Sequence, residues 1–299
     1  MTGPAPLDTP EPPTAAEGAA SDKKYGIAIL ANDKVIDWLL PFLESYLQTN
    51  AHIPLYLIPY NGNCEKTKRI AELYGVTFVE TDSKALDALS KKLYPLSLGK
   101  RSRLRKFLCL ALPLDEVIYL DVDIVLFRDL RPLLGRLRPG ETDFIVVSRT
   151  TEYVYNERHL NYDYLRNAFL FNDGFFITSN KILSVQDFYD AMEADEPIFD
   201  AVRQRGGLYA QPLCNFVVHR KRLKIVAVPE LIPGASNESY HKAQGITFDA
   251  KGIPKDTFGD EIYFAHWAGV TYTPTKGAFD PAWKVLSDRG KARVAAAGL

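Results

Sequence analysis

Apolar and polar positions alternate in blocks over the first part of the chain. Tyr25 to Ala31 is a short, nearly continuous apolar run, the mark of a buried strand. Asn32 and Asp33 follow it, and then Trp38, Leu39, Phe42, Leu43, Tyr46 and Leu47 fall at helical spacing. This predicts a helix capped by Asn32 or Asp33. Ile53 to Tyr60 reads as a second strand, Asn61-Gly62-Asn63 as a turn, Glu65 to Tyr74 as a second helix and Val76 to Val79 as a third strand. A helix from about Arg101 to Leu112, with Leu104, Phe107, Leu108 and Ala111 as its apolar stripe, leads into a buried strand from Val117 to Leu120. Strands alternating with helices predict an α/β fold with a doubly wound, mainly parallel sheet, whose ligands bind outside the carboxyl ends of the strands. Asn32, Asp33, Asn61 and Asp82 fall at such ends.

The alternation then weakens. Phe144 to Val147 and Gly174 to Thr178 predict strands, joined by a long connection that holds Tyr153, Tyr155, Tyr162 and Tyr164. A functional loop or an unrecognised helix accounts equally well for such a connection. No polar, Pro/Gly-rich linker follows residue 25, so one domain over 25–299 with an elaborated C-terminal half is expected. Residues 1–24 are rich in Pro, Ala and acidic residues and lack a basic start before an apolar run. They read as a disordered tail, not a signal peptide.

Composition narrows the partners. A net charge of -1 removes the overall electrostatic footprint of a nucleic-acid or anionic-membrane binder. The basic stretch from Lys100 to Lys106 lacks interleaved aromatics, so most of it is expected on a solvated helix face. His219, beside Arg220, Lys221 and Arg222, is likewise expected at the surface. No apolar run is long enough for a membrane span. Cys64, Cys109 and Cys214 lie far apart without zinc or disulfide spacing, which fits buried thiols in a reducing, cytoplasmic setting.

The chemistry centres on Asp121 and Asp123, two carboxylates interrupting the apolar run from Val117 to Leu126. Burying them unpaired would be costly, so something must compensate them. On an extended segment they share a face; a turn at the strand end would instead let one meet a metal directly and the other act through water or ribose. Capping of a following helix is the plain structural use of such a pair. Of the histidines, His266 stands out, because it follows the strand-like Glu261 to Ala265 and precedes the small Ala268 and Gly269. A half-buried histidine bonded to the backbone is the alternative.

The segment from Arg103 to Leu130 resembles the metal-binding region of GT-A-fold glycosyltransferases, especially the glycogenin and lipopolysaccharide galactosyltransferase family (family 8). Phe171-Asn172-Asp173-Gly174 is similar to that family's Phe-Asn-x-Gly, Gln211 to Asn215 to its Asp-Gln-Asp-x-x-Asn, and His266 to Gly269 to its His-x-x-Gly. The order of these stretches, over about residues 25 to 285, is more specific than any one of them. The resemblance implies manganese or magnesium held by Asp121, Asp123 and His266, and a nucleotide-sugar donor, with UDP the expected nucleotide. It places Ala31, Asn32 and Asp33 at the base and ribose, and Arg103 or Lys106 at the sugar or diphosphate. Asp121, Val122, Asp123, Asn172 and Gly269 are the further donor contacts that it implies. Residues 25–130 are then the donor-binding half and 131–299 the acceptor-binding half. Gln211 falls at the glutamine near the anomeric carbon, where a neutral amide is better suited to stabilise or position than to attack. Asp173 and, for the leaving diphosphate, Lys276 complete the catalytic candidates.

Two departures are plain: Ala210 and Pro212 replace both acidic neighbours of the glutamine, and Lys276 lies further beyond His-x-x-Gly than the family's lysine. The resemblance implies hexose transfer to an acceptor hydroxyl, on a saccharide, lipid-linked sugar or small molecule, with retained anomeric configuration. Two other readings stay open. A haloacid-dehalogenase-type phosphatase also places Asp-x-Asp after an apolar strand, the first Asp being its nucleophile, although that motif normally opens its domain. A non-catalytic sugar-nucleotide-binding protein would account for the missing acidic residues. A nucleotidylyltransferase is disfavoured, since the first strand runs into Ala-Asn-Asp instead of a Gly-rich phosphate loop. The Tyr-rich segment, Trp267 and Trp283 could stack on sugar rings or pack the core.

Overall fold

The structure is a computed structural model that describes residues 23–80, 82–93, 102–149, 154, 167–194, 210–270, 274 and 277–299. The tail over 1–22 and the tyrosines at 153, 155, 162 and 164 lie outside the described residues. Lys23 and Lys24, the last two residues assigned to the tail, are tied down: Lys23 pairs with Glu116, and the main chain of Lys24 bonds to Asp115.

The α/β expectation holds. A seven-stranded sheet runs in the order β3-β2-β1-β4-β7-β6-β8. Its strands are β1 (Tyr25–Ala31), β2 (Leu55–Pro59), β3 (Thr77–Phe78), β4 (Glu116–Leu120), β6 (Phe144–Val146), β7 (Phe175–Thr178) and β8 (Ile225–Ala227). Strands β3, β2, β1 and β4 are parallel, β7 is antiparallel to both β4 and β6, and β6 is parallel to β8. The side-chain period of two explains the near-continuous apolar runs. Ala28, Leu30, Val117 and Tyr119 enter the core on one face, while Ile27, Ile29, Ile118 and Leu120 enter the core on the other.

Among the described residues the longer helices are α1 (Ile36–Thr49), α2 (Glu65–Leu73), α3 (Lys84–Leu93), α4 (Val185–Ala194), α5 (Ala210–Arg220) and α6 (Asp280–Ala296). The expected cap is redistributed. Asn32 accepts from Lys34 N at 3.1 Å and caps a 3₁₀ turn, Asp33–Val35, ahead of α1. Asp33 instead accepts from the main-chain N–H and hydroxyl of Thr67, both at 2.8 Å, in the first turn of α2. The expected helix over Arg101 to Leu112 is a 3₁₀ segment, Arg103–Ala111. Leu104, Phe107 and Leu108 are buried as the stripe predicts, whereas Ala111 is exposed.

A second small sheet builds the site. β5 (Ile124–Leu126) leaves the turn after β4 and pairs antiparallel with β11 (Phe264–His266), with Ile124 opposite His266. Ser45 of α1 accepts from Leu126 N at 3.0 Å, which fixes the other edge of β5. A short hairpin of β9 (Thr247–Phe248) and β10 (Pro254–Lys255) lies before β11. Trp267 and Trp283 are buried in a third apolar cluster with Phe279, and Trp38 packs on both. Trp267 and Trp283 therefore serve core packing. Cys109 and Cys214 are buried free thiols, as expected, and Cys64 is half-buried. Among the described residues no helix is long and apolar enough to cross a membrane.

The last helix is held close. Glu44 of α1, 2% exposed, accepts from the Tyr74 hydroxyl and from Arg293 Nε of α6, each at 2.7 Å. A Cβ built on Gly290 would lie 2.8 Å from Leu40 Cβ and 3.4 Å from the Leu40 main chain, so α6 packs directly against the backbone of α1. Alanine normally stabilises a helix interior over glycine by about 1 kcal/mol. Here it forces two helices apart, at a cost of about 1–3 kcal/mol. Gly290→Ala is expected to lower the midpoint of urea unfolding; a raised midpoint would contradict this packing.

Candidate active site

Asp121, Val122 and Asp123 form the turn between β4 and β5, at the carboxyl end of the parallel strands. The turn at the strand end forms as one of the sequence readings allowed, yet both carboxylates converge on His266. Asp121 Oδ1 accepts from the Tyr119 hydroxyl at 2.8 Å and lies 3.2 Å from Lys106 Nζ. Its other oxygen faces His266, with Oδ2 3.9 Å from Nε2. Asp123 Oδ1 lies 3.1 Å from the same His266 nitrogen. The β5–β11 ladder explains how residues 143 apart in sequence meet. His266 stands opposite Ile124, and Trp267 N donates to the main-chain oxygen of Asp123 at 2.9 Å. Gly269, at φ +74°, then turns the chain along the cleft wall.

The donor atoms of Asp121, Asp123 and His266 lie within 4.8 Å of one another, a set that could hold one metal ion. The two carboxylate oxygens and one imidazole nitrogen suit manganese or magnesium better than a thiolate-loving ion. The cradle is also closely shaped. A Cβ on Gly174 would collide with the His266 ring and lie 3.0 Å from Asp121 Oδ2. The residues therefore fit a divalent cation.

Electrostatics point the same way. Burial opposes protonation of His266, yet Asp123 and Asp121 hold its pKa above the ordinary imidazole value. Burial raises the Asp123 pKa, but the His266 imidazole outweighs it and the net direction is down. The pair thus draws positive charge to this point. Lys106, 5% exposed, carries the compensating charge behind it. Burial disfavours its ammonium, but Asp121 and Asp173 more than offset this, and its pKa is raised. Burial likewise lifts Asp173 above the usual carboxylate range, against the pull of Lys106. Lys106, expected at the sugar or diphosphate, is held as an internal brace, 4.9 Å from the centre of the Tyr119 ring.

These groups line a cleft of about 590 Å³. Asn32, Tyr60, Arg103, Asn172, Asp173 and Gln211 line it as well. Val122 and Lys106 also reach it, so most of the expected residues converge. Two do not line it. Ala31 is buried within the sheet, and Asp33 is engaged by α2. Lys276 lies outside the described residues.

Helix α5 brings Gln211 to the cleft through a polar stripe. Asn215, four residues on and fully buried, accepts from Phe171 N at 3.0 Å and donates to Phe171 O at 2.8 Å. His219, another turn along, donates through Nε2 to Phe169 O at 2.9 Å. It is half-buried and not on the solvated surface expected for it, because the stripe docks on the segment leading to Asn172 and Asp173. The sequence reading missed Tyr119 and the tight fit at Gly174. A hydroxyl two positions before Asp121 in an otherwise apolar strand was the available signal for the first.

No protein-family profile and no curated protein sequence matches the chain. Solved structures do. An active-site mutant of LgtC superposes with a TM-score of 0.59 at 12% identity, over 88% of this chain and 95% of that chain. WbbM, a bifunctional glycosyltransferase, gives 0.56 at 13% identity over 93% of this chain. The glycosyltransferase GlyE of Streptococcus pneumoniae TIGR4 gives 0.54 at 13% identity over 92%. The chain spans 64% of the GlyE chain and 53% of the WbbM chain. The likeness shows a GT-A fold.

Two outcomes are expected. Asn215→Ala leaves the buried N–H and C=O of Phe171 without partners, at about 1–3 kcal/mol each, so chemical denaturation should show a loss of roughly 3 kcal/mol. His219 has its pKa lowered from 6.5 by burial, against the raising effect of the Phe169 bond. The unfolded chain therefore binds the extra proton first, so this contribution is intact above about pH 6.5 and is lost as pH falls below it. His219→Gln should lose less stability than the parent between neutral and mildly acidic pH, measured by urea midpoints; parallel curves would exclude the effect.

Proposed function

We propose that the chain is a metal-dependent glycosyltransferase that moves a hexose from a nucleoside diphosphate sugar, most readily UDP-linked, to an acceptor hydroxyl. The observation that supports this best is the convergence of Asp121, Asp123 and His266 on one wall of a cleft at the carboxyl end of a GT-A sheet. A manganese or magnesium ion bound there supplies positive charge beside the diphosphate of the departing nucleotide.

The chain's own groups divide the remaining work. Asn32 and Tyr60 take the nucleoside side of the cleft, and the Arg103 guanidinium beside Tyr60 would meet phosphate oxygens. Lys106 and Tyr119 hold Asp121 Oδ1, leaving Oδ2 toward the cation site. Gln211 presents a neutral amide at the cleft wall. Its role is to stabilise positive charge developing on the transferred sugar, not to form a covalent bond with it. Transfer with retained configuration follows from this reading together with the family resemblance. LgtC has also been solved as a galactosyltransferase in complex with donor and acceptor sugar analogues, which supports a donor sugar and an acceptor as the ligands of this chain.

Thermal unfolding with a panel of nucleotide sugars tests the proposal. A stabilising shift is expected only when manganese or magnesium is present, reaching about 2.7 kcal/mol at a hundredfold excess over Kd. Asp123→Ala should lose the cation-dependent part of the shift together with sugar transfer or donor hydrolysis. No shift with any donor in the parent protein would refute the reading, and turnover that survives Asp123→Ala would refute the metal site.

A further inference from the structure

Among the described residues lining the cleft, the carboxylates are Asp121, Asp123 and Asp173. The first two face His266 and are accounted for by a cation. Asp173 is not. It is 4% exposed, and among the described residues it forms an ion pair with Lys106, 3.1 Å from Oδ2. That oxygen is sealed from solvent against the ammonium without a well-aligned hydrogen bond, which leaves Oδ1 as the oxygen that meets the cleft. The ammonium also faces Asp121 and the main-chain oxygen of Asp173, 3.4 Å away.

A buried carboxylate held by charge but short of donors calls for a donor from elsewhere. Its surroundings say which kind. Asn172 spends its amide oxygen on Gly174 N, at 2.8 Å, which leaves its amide N–H groups. Gln211 offers a second amide at the same cleft. A hydroxyl donates once and accepts up to twice, so one carboxylate beside two amides is complementary to a ring hydroxyl. Helix α5 cannot supply that acceptor from beside Gln211, since positions 210 and 212 are Ala and Pro.

We propose that Asp173 is the specificity-determining residue for the donor sugar: its carboxylate, held in place by Lys106, accepts a hydrogen bond from one free ring hydroxyl. The inference rests on the nucleotide-sugar reading above and narrows it to hexoses that keep that hydroxyl. A sugar lacking it would leave the carboxylate without a donor, the situation in which enzymes discriminate most strongly. Lys106 is a positioning residue in this scheme, and Asp173 the group that touches substrate.

Calorimetric titration in the presence of manganese separates the possibilities. The ligands are UDP, UDP-glucose, UDP-galactose and their singly deoxygenated counterparts, and the proteins are the parent, Asp173→Asn and Asp173→Ala. In the parent, one deoxy position should weaken binding by about tenfold or more relative to the intact hexose. In Asp173→Ala that preference should collapse to about onefold, and in Asp173→Asn it should shrink, while UDP alone binds within about twofold of the parent. Retained UDP binding certifies the fold and the cation site of each variant. An unchanged deoxy preference in the variants, or equal binding of all deoxy sugars to the parent, would overturn the assignment. Loss of UDP binding in a natively folded Asp173→Asn would overturn it too, by placing the carboxylate in the cation site. A parent protein that binds none of these nucleotides refutes the donor reading itself, which distinguishes that failure from an error about Asp173.

Discussion

Negative charge at the end of a fully buried strand is the condition around which this site is organised. β4 is enclosed on both faces and runs directly into Asp121, with Asp123 two residues later. A carboxylate there is tolerable only with compensation. The compensation is arranged on two sides. Behind Asp121 stand the Tyr119 hydroxyl and the Lys106 ammonium; in front, His266 closes on Asp123. Gly174 leaves room for all of them. Much of the local architecture, from the 3₁₀ segment that carries Lys106 to the β5–β11 ladder, can be understood as the means of delivering these groups.

Such an arrangement does little for stability. Buried ion pairs often contribute less than well-packed apolar residues of the same volume. The cluster Lys106, Asp121, Asp173, His266 and Asp123 therefore makes sense chiefly as preparation for ligands that bring their own charge. A divalent cation brings two positive charges to a place where two carboxylates already attract them. On the proposed reading, the diphosphate of a nucleotide sugar would meet that cation and the Arg103 guanidinium.

How much of this was legible in the sequence depends on the range of the interaction. Strand β1 was read with its exact limits, because a strand buried on both faces writes itself as an unbroken apolar run. The paired aspartates and His266 were legible as chemistry, since charge amid apolar residues is rarely idle. What escaped was direction. Nothing local distinguishes Lys106 turned inward from its exposed neighbour Arg103, because both sit in the same basic stretch. Asp33 was assigned to the nearest helix and to the base site, whereas α2 claims it across 34 residues. His219 looked solvated because of the charged residues after it, but helical periodicity places it with Gln211 and Asn215, not with Arg220. The helix expected over Arg101 to Leu112 tightened to a 3₁₀ segment, a difference that an apolar stripe alone does not encode.

The β5–β11 ladder has a consequence for the order in which the molecule is built. Its two halves are separated by more than a hundred residues, and loop closure over such a span comes late in folding. During synthesis, which proceeds from the N-terminus, the sheet strands up to β4 can form while His266 has yet to be made. A nascent chain in that interval presents two aspartates with no imidazole between them, so the three side chains can meet only after the chain has been made through His266. Truncation products that look folded by their sheet content would consequently lack the imidazole of that set.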